Sequence, residues 1–101
     1  MRIAAVVPNW NGAELLRALL PTIAAQTRPF DSVVIVDNGS TDDSLSVARQ
    51  FGAGVVRLDM NQGFAPAVNR GASEVDSDVL AILNNDVELD SAWLKTSSFF
   101  N

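Results

Sequence analysis

The amino-acid sequence predicts an α/β fold with a Rossmann-like, mostly parallel sheet of alternating strands and helices. Four short apolar runs, at residues 3–7, 33–36, 54–58 and 79–83, predict strands. The first two runs are continuous and β-branched, as in strands that are covered on both faces. Stretches with helical spacing separate the runs, and strands and helices that alternate in this way form parallel sheets with right-handed crossovers.

The predicted helices follow the strands in order. Residues 13–25 form the first, because leucine and isoleucine recur there every three or four residues, and Pro21 predicts that this helix is kinked or divided. The second begins after the capping side chains of residues 40–43 and ends at Gly52. The third covers residues 64–72, and residues 91–94 predict the start of a further helix. We interpret Asp42, Asp43 and Asp90 as charges at helix N-termini.

The composition excludes several classes of function. The 101 residues suit one domain, and 48% apolar with 19% charged residues is typical of a globular protein. Without cysteine or histidine, the chain has neither a disulfide framework nor the usual zinc ligands. A formal charge of -5 with scattered basic residues argues against nucleic-acid binding. No apolar run suits a transmembrane segment or a signal peptide, so we expect a cytoplasmic protein, with peripheral attachment at the inner face of the membrane as the alternative.

Polar residues follow every predicted strand, at residues 8–12, 37–40, 59–63 and 84–86. Ligands of parallel sheets bind beyond the carboxyl ends of the strands, so these residues should converge on one edge. Carboxylates and amides grouped there predict a divalent metal, Mg²⁺ or Mn²⁺, together with a phosphorylated ligand whose oxygens complete the metal shell. The chain lacks both G-x-G-x-x-G and G-x-x-x-x-G-K-[ST], which argues against NAD enzymes and P-loop NTPases.

Four segments carry a family resemblance: VVPNWNG at 6–12, VDNGSTD at 36–42, NQGFAPAVNRG at 61–71 and LNND at 83–86. In this order and spacing they resemble the family 2 glycosyltransferases of the GT-A fold, and most of all their rhamnosyltransferase-like subset, up to about residue 94. The resemblance implies that residues 1–101 are the N-terminal part of a GT-A fold, the half-domain that binds the nucleotide-sugar donor.

The resemblance also implies roles for the residues after the first two strands. Pro8, Asn9 and Trp10 would make the first contact with the nucleotide, and Asp37 would accept a hydrogen bond from N3–H of uracil or thymine. Each has a simpler interpretation. Trp10 could pack against the first helix, and Asp37 could belong to an ordinary turn that precedes a helix cap.

The residues after the third strand would hold the ribose and the diphosphate. Asp59 and Asn61 would border the base or the ribose, and Gly63 with the segment that follows it would hold the diphosphate, with Arg70 as the nearest cation. As alternatives, Asp59 could simply begin a loop and Arg70 could be a solvated helix residue, while Gly63 could serve backbone geometry.

Asn84, Asn85 and Asp86 lie where the family has its Asp-x-Asp motif, whose last carboxylate binds the metal. The resemblance therefore implies that Asp86 binds the metal and that Asn84 and Asn85 contact the nucleotide. Asn84 replaces the first acid of the motif, so it removes one negative charge from the site. Metal binding would then depend mainly on Asp86.

The implied activity belongs to a longer enzyme. It is transfer of the sugar of a UDP- or dTDP-sugar, with inversion, to a hydroxyl of a glycan or lipid-linked acceptor. The family's general base lies beyond residue 101, so no catalytic residue is assigned here, and we expect the 101-residue chain alone to be inactive. The alternative is a non-catalytic nucleotide- or metal-binding module. A phosphoryl-transfer domain that uses Asp37 would need a second nearby acid and a suitable lysine.

Two aromatic residues near the end, Phe99 and Phe100, have nothing evident to pack on. They predict a truncated chain. Together with a sheet edge that later strands would cover in a longer protein, they also predict exposed apolar surface and self-association.

Overall fold

Strands and helices alternate from the first residues of the chain onward. The computed structural model describes residues 1–96, so Phe99 and Phe100 lie outside the described residues. The elements are β1 (Ile3–Asn9), α1 (Ala13–Ala24), β2 (Ser32–Asp37), α2 (Ser44–Gln50), β3 (Gly54–Arg57), α3 (Phe64–Ser73) and β4 (Val79–Ile82). None of these helices is both long and apolar enough to cross a membrane.

The four strands form one sheet in the order β3-β2-β1-β4, and all neighbouring strands are parallel. This arrangement confirms the predicted fold class. β1 lies between two neighbours and almost all of it is buried, which explains its continuous apolar sequence. Because the strands are parallel, their carboxyl ends lie at a common edge, and the loops after them are brought together there.

Helices cover both faces of the sheet and divide the core in two. One cluster joins α1 and α2 to the sheet through residues such as Val7, Leu16 and Ile35. The other places α3 over β1 and β2. Gly71 permits this close approach, because a Cβ there would lie 2.5 Å from Cγ1 of Val6 and 2.7 Å from Cγ2 of Val36.

β1 extends two residues further than predicted, and Pro8 lies within it. Proline has no N–H and normally avoids central strands. β1 pairs with β4 only as far as Val6, opposite Ile82, whereas Pro8 lies opposite Val36 of β2. Pro8 is therefore in a part of the strand that has a partner on one side, where a missing donor is tolerated.

Pro21 does not divide α1, which continues from Ala13 to Ala24. Its side chain is exposed, whereas Leu16, Leu19 and Leu20 before it and Ile23 after it are buried. Packing of these residues outweighs the one backbone hydrogen bond that proline removes.

The further helix predicted from residue 91 is not formed; residues 91–96 form turns. Gln26 provides the reason. Its Oε1 accepts from the N–H of Leu94 at 2.9 Å, and its Nε2 donates to the carbonyl of Asp90 at 2.7 Å. These are the two backbone groups that would bond to each other in a helix. Asp90 does act locally as predicted, since its Oδ1 accepts from the N–H of Ala92 at 2.9 Å.

Candidate functional site

The loops after the strands enclose an open cleft of about 380 Å³ at the carboxyl edge of the sheet, a size within the range of small-ligand pockets. Its lining consists of Pro8, Asn9, Trp10, Asn38, Asn61, Gly63, Phe64, Asn84, Asn85 and Asp86. All the predicted site residues belong to this lining except Asp37, Asp59 and Arg70. The convergence expected from the strand order is therefore present.

Asn9 joins the loops from the middle of the cleft. It is the last residue of β1 and only 2% exposed. Its Nδ2 donates to Oδ1 of Asp37 at 3.3 Å, and its Oδ1 accepts from Nδ2 of Asn85 at 2.8 Å. The Asn9 amide thus links the end of β2 to the loop after β4. These links hold one side of the cleft, the cleft wall, in place before any ligand binds.

Gly12 gives this wall its room. A Cβ at residue 12 would lie 2.4 Å from Nδ2 of Asn85 and 2.5 Å from Oδ1 of Asn9, the two atoms that bond to each other. Any side chain there would push these amides apart. The beginning of α1 can therefore approach the cleft wall only with glycine before it.

Asp37 lies behind the cleft rather than in its lining. It is 1% exposed, and both carboxylate oxygens have partners, because Oδ2 accepts from the N–H of Ser40 at 3.0 Å. These contacts fit the simpler interpretation, an ordinary turn that precedes a helix cap, and the contact of Asp37 with the base stays a prediction. The same burial argues against Asp37 as a phosphorylated nucleophile.

Asn38 lies in the segment 37–40 that was expected at this edge, but no role of its own was predicted for it; it lines the cleft and joins two loops. Its Nδ2 donates to the carbonyl of Gly63 at 3.0 Å, and its Oδ1 accepts from the N–H of Gln62 at 2.9 Å. Gly39, with φ of 81°, brings the loops closer still, since a Cβ there would lie 2.8 Å from Cα of Met60. The sequence Asp-Asn-Gly indicates a turn and gives no sign of these long-range bonds.

Two aromatic side chains stand exposed in the lining. Trp10 is 54% exposed and Phe64, the first residue of α3, is 58% exposed. About half of Trp10 is therefore open to solvent. Exposed aromatic faces beside a polar cleft can stack on a base or on the apolar face of a sugar.

Asp86 supplies the carboxylate of the cleft lining, and it is exposed with Asn84 nearby along the loop. Within residues 1–96, no three acidic, histidine or cysteine side chains are grouped so that they could hold a metal ion by themselves. The donor set therefore does not form a complete protein cage. It fits a hard cation that takes one carboxylate from the protein and its other ligands from phosphate and water.

Asp59 and Arg70 lie outside the cleft lining. Arg70 is six residues into α3, about 9 Å along the helix from its start. Its Nε donates to Oε1 of Glu74 at 3.0 Å, beyond the other end of the helix. This position fits the alternative interpretation of Arg70 as a solvated helix residue. Asp59 is exposed in the loop after β3.

A second groove lies at the opposite edge of the sheet and is lined mostly by apolar side chains, among them Leu20, Phe30 and Phe51. The carboxylate in its lining, Asp31, accepts from the N–H of Ile3 at 2.6 Å and pairs with Arg28 at 3.0 Å. The backbone hydrogen bond is the largest cause that lowers the pKa of Asp31, and Arg28 adds to it. This carboxylate supports the fold, so the carboxyl-edge cleft is the better candidate site.

Comparison with known proteins identifies the family. The model of glycosyl transferase family 2 matches residues 4–96. The chain belongs to this family. Among curated relatives, the glycosyltransferase AglE of Haloferax volcanii is 32% identical over 100 residues, which cover 92% of this chain and 33% of that protein. A PGL/p-HBAD biosynthesis glycosyltransferase of Mycobacterium bovis is 35% identical over 89 residues, which cover 83% of this chain and 35% of that protein.

Solved structures of other proteins share the fold. Staphylococcus aureus TarS, residues 1–349, in complex with UDP matches with a TM-score of 0.90 and 25% identity, over 99% of this chain and 32% of that one. The mannosyltransferase PcManGT of Pyrobaculum calidifontis, in complex with GDP-Man and Mn²⁺, matches with a TM-score of 0.81 and 28% identity, over 86% and 28%. The family 2 chain thus has part of the GT-A fold and spans about a third of the length of these relatives.

Proposed function

We propose that the cleft binds the nucleoside-diphosphate sugar donor of a glycosyltransferase. The observation that supports this most strongly is the convergence of the cleft-lining residues from four separate loops, in a family 2 chain whose structural neighbours are complexes with UDP, UDP-GlcNAc and GDP-Man. Trp10 and Phe64 offer aromatic faces, and the amides offer donors and acceptors for ribose and phosphate. We propose that Asp37, Asp59 and Arg70, which lie outside the lining, either support the fold around the cleft or reach the donor after the loops move.

A divalent cation, Mg²⁺ or Mn²⁺, is part of the proposal. Asp86 would bind it, with the amide oxygens of Asn84 and Asn85 close by in the same loop. When bound, the cation would neutralise charge on the diphosphate leaving group. The residues of this chain hold the donor beside it. The carboxylate of Asp86 is the single acid in the described lining, so the diphosphate has to supply part of the metal shell.

Which base the donor carries depends on whether the Asp37 carboxylate can contact it. If the loops open enough to expose its carboxylate, N3–H of uracil or thymine is a matching donor, and the N–H groups of guanine are donors as well. Because one structural neighbour is a complex with GDP-Man, the experiment has to include a guanine nucleotide. The sugar is proposed to be rhamnose or a hexose, as in the rhamnosyltransferase-like subset.

Transfer itself is proposed for the whole protein. The acceptor would be a hydroxyl of a glycan or lipid-linked molecule, attacked with inversion, and the general base would come from outside the 101 residues. We propose a cytoplasmic location, where nucleotide sugars are available. A chain that binds the diphosphate tightly without any transfer by the whole protein would instead be the non-catalytic binding module.

Calorimetry with UDP, dTDP and GDP, each with and without Mn²⁺, tests the proposal. We expect one diphosphate to bind best and Mn²⁺ to strengthen its binding about tenfold, the effect of one charge-assisted contact. Asp86→Asn should remove most of this gain. Glu88→Gln, a neighbouring exposed acid outside the lining, is the matched control and should keep it.

Three results would count against the proposal. Absence of binding by any diphosphate to a folded sample would exclude the donor site in this chain. An unchanged Mn²⁺ dependence in Asp86→Asn would exclude Asp86 as the metal ligand. Equal losses in Asp86→Asn and Glu88→Gln would indicate a general charge effect rather than a ligand at residue 86.

A further inference from the structure

Asn11, between β1 and α1, has an unusual backbone conformation. Its φ is 48°, and among residues 1–96 it is the one non-glycine residue with positive φ. Asparagine tolerates this left-handed region better than most residues because its short polar side chain can bond locally. Such conformations persist where surrounding contacts hold them, and they are frequent at functional sites.

The contacts that hold Asn11 come from the loop between β2 and α2. The backbone N–H of Asn11 donates to Oγ of Ser40 at 2.8 Å. Its Oδ1 accepts from the N–H of Thr41 at 2.8 Å. Two residues further on, the N–H of Ala13 donates to Oδ2 of Asp42 at 3.1 Å. We call these five residues the inter-loop latch.

Asp42 anchors the latch at the start of two helices. Its Oδ1 accepts from the N–H of Ser44 at 2.9 Å and its Oδ2 accepts from the N–H of Ala13, so one carboxylate bonds to the first residue of both α2 and α1. Burial alone raises the pKa of Asp42, but the hydrogen bonds from Ser44 and Ala13 outweigh it and lower the pKa. The carboxylate therefore remains ionised at neutral pH. Helix N-termini favour a negatively charged acceptor of this kind.

We propose that Asn11 is a positioning residue for the cleft, and that the inter-loop latch sets the place of the Trp10 side chain. Trp10 directly precedes Asn11 and is half exposed on the cleft, so few packing contacts hold its indole. Its position depends instead on the backbone, which is fixed on one side by β1 and on the other by the latch. The nature of the ligand that meets Trp10 rests on the proposed function, but the latch itself does not.

The test uses Trp10 as its own probe. The chain has two tryptophans, and Trp93→Phe leaves Trp10 as the single fluorophore while keeping a ring to stack on Phe30. In that background, Asn11→Gly accepts positive φ but loses the side-chain acceptor, whereas Asn11→Asp keeps an oxygen for the N–H of Thr41. Fluorescence anisotropy and acrylamide quenching of Trp10 are measured beside the affinity for UDP with Mn²⁺.

A second pair of variants cuts the latch at its other end. Asp42→Ala removes the anchor of Ala13. Asp43→Ala is the matched control, because it removes the neighbouring exposed carboxylate, which pairs with Arg17 at 3.8 Å on the surface. If Asn11→Gly fails to fold by circular dichroism, Asp42→Ala and Asn11→Asp decide the question.

Asn11→Gly and Asp42→Ala should lower the anisotropy of Trp10, raise its quenching and weaken UDP binding about tenfold, as expected for the loss of one or two hydrogen bonds. Asn11→Asp and Asp43→Ala should stay within about twofold of the parent. Unchanged anisotropy and quenching in Asn11→Gly would overturn the proposal, whatever the affinity. If the parent binds no UDP, the proposed function fails separately, and the fluorescence of Trp10 still decides the latch.

Discussion

Asparagine is the residue that builds the cleft. Half of the lining residues are asparagines, and an amide can both donate and accept without carrying charge. Asn9 and Asn38 use this property to bond loops to one another, which leaves Asp86 as the charged group in the described lining. A chain with a formal charge of -5 can thus offer a diphosphate a wall that repels it little. This is why we expect the metal, rather than an arginine, to offset the phosphate charge.

At the residue scale, Asp31 should make stability depend on pH. Its carboxylate holds the start of β1, and its pKa is lowered from 3.8 in the folded chain. A lowered folded pKa stabilises the fold above the unfolded value, and the contribution is lost as the pH falls through the folded value. Urea unfolding should show Asp31→Asn less stable than the parent at pH 7, with the difference shrinking below about pH 4.

Asp76→Asn is the control for this prediction. Asp76 pairs with Arg2 at 3.0 Å, but its side chain is 90% exposed, and such pairs contribute little. The Asp76→Asn variant should have the same free energy of unfolding as the parent at every pH. A difference between parent and Asp31→Asn that is the same at pH 7 and pH 3 would show that the carboxylate charge is not the cause.

The sequence predicted which loops form the cleft, but it did not predict that Asp37, Asp59 and Arg70 lie outside the lining. Asn84, Asn85 and Asp86 follow β4 and so reach the edge by topology alone. Arg70 was assigned by motif, but the rise of α3 carries it away from that edge. The burial of Asp37 could not be predicted, since it depends on the Asn9 amide, 28 residues away.

At the element scale, strand and helix identity followed from apolar spacing, whereas the ends depended on tertiary contacts. Pro8 could remain in β1 because β4 stops short of it. Gln26 bonds to the carbonyl of Asp90 and the N–H of Leu94, the two groups that would have bonded to each other at the start of the predicted last helix. Neither effect has a local signal, because each depends on residues far away in the sequence.

The packing of α3 makes a sharp prediction about Gly71. Alanine there would gain about 1 kcal/mol of helix propensity. Its Cβ, however, would meet methyl groups of Val6 and Val36, both fully buried, and overpacking costs about 1–3 kcal/mol. We expect a net loss of about 1 kcal/mol in the free energy of unfolding, measured in urea.

A double-mutant cycle separates the clash from other causes. Val6→Ala removes one of the two methyl groups, so Gly71→Ala should cost less in that background than in the parent. Additive losses would mean that the new Cβ at residue 71 does not contact the side chain of Val6. A gain in stability from Gly71→Ala alone would show that α3 can shift without cost.

At the scale of the whole molecule, the helices cover the sheet unevenly. β1 and β2 have helices on both faces, and α3 packs mainly on these two strands. Leu80 and Ile82 alternate with the buried Ala81, and they are 41% and 38% exposed. Within residues 1–96, β4 also has a strand neighbour on one side only. An edge strand with free backbone groups and exposed apolar side chains favours pairing with another chain.

We therefore expect the 101-residue chain to self-associate through β4. Light scattering should give a mass that rises with concentration, and Ile82→Lys should shift it toward the monomer because a charge on the edge opposes strand pairing. Leu15→Lys is the matched control, since Leu15 is a similarly exposed apolar residue, 43% exposed, on α1 rather than on an edge strand. An equal effect of both changes would point to general apolar stickiness. A monodisperse monomer of the unchanged chain at high concentration would exclude pairing through β4.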